Sequence, residues 1–248
     1  MNEHAPTQGR RGIGGPLVLA LGLMGAAWII GSSAVRISDS RATLTVTGSA
    51  KQQIRSDLVT WRSQFVARSP SLQAAYADLS ENATKVRAYL LSKGVPESEI
   101  QLQSIQTRTF YQMGPNRTET STVSGYLLSQ MVEIRSTDVD RITNLWREST
   151  ELIHQGVAFE SYPPEYLYTK LAELKVEMLA RATKDAKARA EEMARNSGSH
   201  IGRIRSARMG VFQITPAFST MVSDYGVNDT SSLMKDITAV VTMSFEVR

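Results

Sequence analysis

Hydrophobic positions recur at helical spacing in some stretches of this chain and alternate at strand spacing in others. The longest helical stretch is 169–198. There Leu171, Leu174, Met178, Ala182, Ala186, Ala190, Met193 and Ala194 return at three- and four-residue steps and share one face. The opposite face pairs charges four residues apart in the acid-first order: Glu177 with Arg181, Asp185 with Arg189, and Glu191 with Arg195. Such pairs contribute only about 0.2–0.5 kcal/mol each and describe a solvated surface. The apolar face is narrow and rich in alanine, so it lets a neighbour come close, and a sheet or second helix from elsewhere in the chain has to cover it. Gly198 is the predicted stop.

Ser69-Pro70 predicts an earlier helix, with Ser as N-cap and Pro at the first helical position. Leu72, Ala75, Tyr76, Leu79, Ala83, Val86 and Leu90 form its apolar face, and Gly94 ends it. Thr137 is the expected cap of a shorter helix carrying Val139, Ile142, Leu145, Trp146, Leu152 and Ile153 and stopped at Gly156. Strands fill the intervals. Leu44 and Val46 alternate with threonines up to Gly48, and Val59, Trp61, Phe65 and Ala67 share a face of a strand over 57–68. A strand over 100–111 meets the turn residues Gly114-Pro115-Asn116 and returns over 123–135. A strand over 157–161 is broken by Pro163-Pro164, which places it or its continuation at a sheet edge. After the long helix come a strand over 204–214, a polar loop over 215–235, and a last strand in which Ile237, Ala239, Val241, Met243, Phe245 and Val247 alternate with polar residues. The order β-β-α-β-β-α-β-α-β-β contains a strand–helix–hairpin unit twice. It predicts an α+β fold, a mostly antiparallel sheet with helices packed on it.

Ahead of this pattern lies a different one. Residues 12–35 carry no charge, are preceded by Arg10-Arg11 and are closed by Arg36. The run exceeds the roughly 20 residues a helix needs to cross a hydrocarbon core. A cleavable secretory signal has a similar make-up, with small residues at Ser32 and Ala34, but the length of the run and Trp28 near its far end favour a retained signal anchor. The expected organisation is a cytoplasmic tail over 1–11, one transmembrane helix over 12–35, a link over 36–41 and a periplasmic domain over 42–248. That makes a single-pass inner-membrane protein.

Composition narrows the chemistry. Apolar residues at 42% and charged residues at 21% describe an ordinary globular chain, and the net charge of +4 comes without the dense Lys/Arg clusters of a nucleic-acid binder. Cysteine is absent, which excludes disulfides, thiolate nucleophiles and Cys-based metal sites. His4, His154 and His200 have no ligand spacing, and Asp224, Asp229 and Asp236 match no calcium-loop pattern. Ser219, Ser223, Ser231 and Ser232 lack a nucleophile-elbow motif. No catalytic residue, cofactor site or metal site is expected. The one candidate recognition surface is the aromatic group Tyr162, Tyr166 and Tyr168 beside Pro163-Pro164, for which burial at the helix entrance is the competing reading.

Three stretches together resemble the SIMPL-domain family of bacterial periplasmic proteins. They are LTVTGSAKQQIRSDLVTW over 44–61, the A-x3-A-x3-A helix followed by Gly198 and Ile201-Gly202-Arg203-Ile204, and MGVFQIT from Met209 with the Asp229-Thr230-Ser231-Ser232 loop and Lys235 leading into the last strand. The resemblance spans roughly 42–248 and implies an α+β fold, an envelope location and, in some members, large rings with a channel-like interior. It also implies links to oxidative-stress tolerance and no accepted enzymatic reaction, so no catalytic residues carry over. The expected function is that of a non-enzymatic, membrane-anchored module that forms homo-oligomers or scaffolds envelope proteins. The alternative is a small-ligand or metal-binding protein using a pocket between the sheet and the long helix.

Overall fold

The computed structural model describes Trp28, residues 42–114 and residues 118–248. The segment 12–35 read as membrane-spanning, with the tail 1–11 and the link 36–41, lies outside the described residues apart from Trp28. No helix among the described residues is long and apolar enough to cross a membrane. The described chain is α+β, with helices and mostly antiparallel strands. Its strands form two sheets rather than one.

Strands β1 (Thr43–Arg55) and β2 (Leu58–Ser69) are consecutive, yet they enter different sheets. In the larger sheet β2 pairs on one side with β5 (Glu119–Ser136). Outside β5 lie β3 (Ile100–Leu102) and β4 (Gln106–Met113). The other side of β2 takes β6 (Ala158–Ser161) and β7 (Glu165–Leu167), the predicted edge. Alternation sorts the faces. Val59, Trp61, Phe65 and Ala67 point inward with Leu128, Val132 and Ile134, and all are buried. Helices α1 (Leu72–Ser92), α2 (Val139–Glu148) and α3 (Glu151–His154) add Leu79, Val86, Leu90, Ile142, Leu145 and Leu152 to the same core. Each such side chain contributes roughly 1.5–3 kcal/mol on full burial, so this is where most of the apolar stabilisation is gathered. Trp61 packs edge-on to Phe159 at 6.4 Å and donates its indole N–H to Ser161 Oγ at 3.1 Å. The outer face is polar, with Arg62 ion-paired to Glu133 and Glu165.

In the second sheet β1 pairs with β11 (Met234–Val247). The direction is antiparallel, as hydroxyl contacts of 2.7 Å between Thr45 and Ser244 and 3.2 Å between Thr47 and Thr242 require. The far side of β11 pairs with β8 (Ile201–Met209) and β9 (Gln213–Pro216), and β10 (Val227–Asn228) adds parallel to β9. Both sheets thus follow one plan: β5 closes on β2 and β11 closes on β1, each with a divided strand outside it. By internal contacts the chain forms two compact units. One is Ser49–Ala182 with Gly210–Val240; the other is Thr183–Met209 with Val241–Arg248 and the chain up to Gly48.

Three glycines end three helices as the pattern predicts. Gly94, Gly156 and Gly198 have φ of +82°, +81° and +75°, the left-handed region that glycine adopts without strain. At each, the next residue's N–H reaches back five residues: Val95 to Leu90 at 3.1 Å, Val157 to Leu152 at 3.1 Å, and Ser199 to Ala194 at 2.8 Å. These are Schellman caps, which satisfy helix carbonyls that otherwise lack partners.

Helix α4 (Leu171–Asn196) buries one residue per turn: Leu174, Met178, Ala182, Ala186, Ala190 and Ala194. Met193, expected on this face, is 53% exposed, because an i,i+4 row alone forms the stripe. Four of the six side chains are single methyls, each worth about 0.8 kcal/mol. The row therefore supports close approach and helix propensity more than it supplies burial energy.

Other boundaries shift for local reasons. Gly48 does not stop β1: it is buried in phase with Val46 and Ile54, and the strand runs on beside β11. The first helix begins at Leu72 behind Ser71, because Ser69 still pairs with Tyr126 in the sheet. Its Leu72 and Tyr76 are 46% and 57% exposed. Asp138 rather than Thr137 caps α2, accepting from Arg141 N at 3.1 Å. The strands expected over 100–111 and 204–214 are each divided, and Arg195 pairs with Glu192 instead of Glu191, which takes Lys187 at 3.6 Å.

Candidate functional site

Several segments that are remote in sequence meet where the chain crosses from β1 to β2. The backbone N–H of Ser56 donates to Leu233 O at 2.9 Å and that of Asp57 to Leu167 O at 3.0 Å. The Asp57 carboxylate then takes both Thr169 donors, backbone N and Oγ1, each at 2.7 Å, just ahead of α4. A cleft of about 560 Å³ opens at this junction, lined by Arg55, Ser56, Asp57, Thr137, Val139 and Thr169. Arg55 reaches across to Asp140 at 2.5 Å. Ser56 Oγ is buried with no hydrogen-bond partner.

Behind the junction lies the most unusual group in the molecule. Lys235 is 2% exposed. It occupies an inward position of β11, in phase with Ile237 and Ala239, where alternation calls for an apolar residue. Its Nζ donates to the backbone carbonyls of Tyr166, at 2.6 Å, and of Asp229. Burial pushes the ammonium below its ordinary value, with the Asp229 charge pulling the other way. Burial also works to raise the Asp229 carboxyl, but hydrogen bonds from Ser231 and Ser232 and the Lys235 charge outweigh it and hold the group below its ordinary value. Tyr166 N donates to Thr230 O at 2.7 Å, so the 229–235 loop is stitched to β7 from both sides. The amine does not line the cleft, and its donors are already engaged with carbonyls. Its chemistry here is structural.

The neighbouring Asp236 faces the opposite way and is buried as well. It pairs with Lys51 of β1 at 2.9 Å and accepts from Phe218 N at 2.8 Å. The Lys51 hydrogen bond is the main reason its carboxyl lies below its ordinary value, against a smaller opposing effect of burial. Phe218 has φ of +64°, a conformation that costs a bulky residue strain, and the Asp236 contact holds it there. From this point the chain loops outward. Gln213 clamps the loop through Ser223, donating to its O at 2.7 Å and accepting from its N at 3.3 Å. Gly226 closes it at φ +86°, where a Cβ would stand 2.9 Å from Phe212 O. The loop presents Phe218, Met221, Val222 and Tyr225 at 86%, 59%, 78% and 98% exposure.

The residues singled out in the sequence are distributed around this site rather than gathered in it. Tyr166 is buried, with its hydroxyl 3.0 Å from Thr143 Oγ1, because an inward register position on β7 puts its ring in the core. Tyr162 and Tyr168 are half-buried. Asp224 is exposed, while Asp229 and Asp236 serve the two polar contacts above. Ser219, Ser223 and Ser231 bond backbone or carboxylate within their own turns. Among the described residues no group of His, Asp and Glu is arranged to hold a metal ion. Lys235 was missed as a site residue. Its signal was present, a lone lysine in phase with the apolar positions of the last strand.

The SIMPL family model, described as a protein of unknown function (DUF541), matches residues 44–245. No curated protein matches the chain. Ser56-Asp57 and the Asp229–Lys235 stretch, far apart within the matched region, are the segments that meet at the junction.

Two substitutions test this geometry. Lys235→Met strands the Tyr166 and Asp229 carbonyls, so a loss of about 2–4 kcal/mol is expected in denaturant unfolding at neutral pH. Its pH dependence follows from the lowered ammonium. The wild type gains stability as pH rises from the lowered value towards the ordinary 10.5, and the variant lacks that gain. Asp236 has the opposite sign: its contribution is present above the ordinary carboxylate value of 3.8 and is lost as pH falls through the lowered one. Asp236→Asn is expected to cost about 1–2 kcal/mol at neutral pH and to flatten the acid limb of the stability curve.

Proposed function

Because the chain belongs to the SIMPL family, we propose that it is a non-enzymatic module of the bacterial envelope. Residues 12–35 anchor it in the inner membrane as a single helix, with 1–11 in the cytoplasm and 42–248 in the periplasm. There it self-associates or holds envelope proteins together, a role linked to stress tolerance. The observation that carries this reading is the 218–225 loop. A loop built only to connect β9 to β10 has no need of four large apolar side chains held out to solvent, and exposed apolar clusters mark interaction surfaces. The clamps from Gln213 and Asp236 order the loop in advance, which lowers the entropic cost of association. The buried Lys235 and Asp236 and the half-buried Asp229, by contrast, already have partners within the fold.

Light scattering on the full chain in detergent tests it. The wild type is expected to form a defined assembly, and Val222→Ser with Tyr225→Ser to lower its mass while leaving stability within about 0.5 kcal/mol, as surface substitutions do. A wild type that stays monomeric at every concentration, and crosslinks to no envelope protein, overturns the reading.

The cleft favours a second reading, a site for a small polar ligand. It opens at the β1–β2 junction, ahead of α4, rather than along the helix. A ligand bound there raises the melting temperature by mass action, and Arg55→Ala is expected to abolish that rise. A screen of small anions and polyols that leaves the wild-type melting temperature unmoved counts against it.

A further inference from the structure

Strand β8 lies at an edge of the second sheet. It pairs with β11 on one side, and among the described residues no strand pairs with the other. The Gly210 N–H donates to Val240 O at 2.9 Å, one step beyond the Met209–Val241 pair, and this sets the phase of the ladder. Ser206 and Arg208 therefore turn their backbone groups towards β11, while Ala207 and Met209 turn theirs to the open edge.

The side chains alternate as well. Ile204, Ala207 and Met209 stand opposite Phe245, Met243 and Val241, so they share the face on which those three are buried. Burial nevertheless stops at β11: Ile204 and Met209 are 56% and 54% exposed, and Ala207 is exposed too. Arg208, opposite Thr242, is on the other face. The strand carries Arg203, Arg205 and Arg208 and no acidic residue. Arg205 is engaged with Glu246 at 2.8 Å, whereas Arg208 is exposed and forms no ion pair among the described residues.

We propose that β8 receives an extended segment of a partner protein as an added strand, one in which apolar residues alternate with acidic ones. Its backbone bonds Ala207 and Met209 across the open edge. Its apolar side chains continue the Ile204, Ala207 and Met209 face, and its carboxylates meet Arg208 on the other. Main-chain bonds supply affinity in such an addition, and alternate side chains supply selectivity. A second copy of β8 is a poor occupant, because antiparallel pairing gathers the arginines of both copies with no β8 carboxylate between them. Charged side chains guard a sheet edge against its own kind and leave it open to the opposite charge. The surface is separate from the 218–225 loop and does not depend on that reading.

The probe is a fluorescent nonapeptide alternating valine with glutamate, titrated into the full chain in detergent and followed by anisotropy. Saturable binding is expected, at least tenfold weaker for a valine–lysine peptide and for the glutamate peptide N-methylated at alternate amides. Arg208→Glu, an exposed change that leaves the melting temperature unmoved, is expected to reverse the preference between the two charges. Amide exchange locates the contact: the peptide slows exchange at Ala207 and Met209 and leaves that at Arg208, already bonded to β11, unchanged. A glutamate peptide that fails to bind, or a lysine peptide that binds as tightly, overturns the proposal. So does binding that slows neither edge amide. Exchange at Ala207 and Met209 that slows with chain concentration alone shows a second copy at the edge and overturns the acidic partner.

Discussion

The passage of the chain from one sheet to the other imposes the constraint on which much else depends. Strand ladders satisfy backbone groups only while a strand continues, so the two residues between β1 and β2 must find partners elsewhere. Ser56 and Asp57 find them in Leu233 and Leu167, which lie far along the chain from the junction and from each other. Those bonds require the 229–235 loop and β7 to be in place, and the Asp57 carboxylate in turn positions Thr169 at the entrance to the long helix. One short junction therefore fixes the start of α4, the approach to β11 and the edge of the larger sheet. Ser56 Oγ, buried without a partner, is the residual polar cost of the arrangement.

Lys235 belongs to the same solution. An ammonium brought into low dielectric is strongly disfavoured unless it is hydrogen-bonded, and here the backbone carbonyls of Tyr166 and Asp229 serve that purpose. The lysine closes the loop onto β7, beside the Tyr166–Thr230 backbone bond and the packing of Leu233 against the core. A reactive amine and a structural one differ in whether the nitrogen is accessible, and this one is enclosed. The same distinction holds for Asp236, whose carboxylate holds a strained Phe218 and so shapes the base of the exposed apolar loop. At the 218–225 loop, buried polar groups hold the base and apolar side chains face outward at the tip.

Much of the architecture could be read from the sequence because its causes are local. The three helix-ending glycines, the alternation of β2 and β11, and the proline break at the sheet edge each depend on backbone preference or on a periodicity of a few residues. So did the order of elements, and the resemblance carried by 44–61, 198–204 and 209–235 anticipated the family. The division of edge strands and the Ser71 and Asp138 caps depended instead on which neighbour each residue met. Tyr166 illustrates the difference: a position two residues past Pro163-Pro164 is compatible with surface or core, and only its pairing with Val59 turned the ring inward.

The sequence by itself determined the α+β class, the helix boundaries marked by glycine and the absence of thiol chemistry, since these follow from residue type and spacing alone. Tertiary structure decided that there are two sheets rather than one, that Ser56-Asp57 meets the 229–235 loop, and that Lys235 is enclosed by carbonyls. The physical reason is separation along the chain. Lys235 and Tyr166 are 69 residues apart, and no local preference can specify which distant carbonyl will satisfy a buried charge.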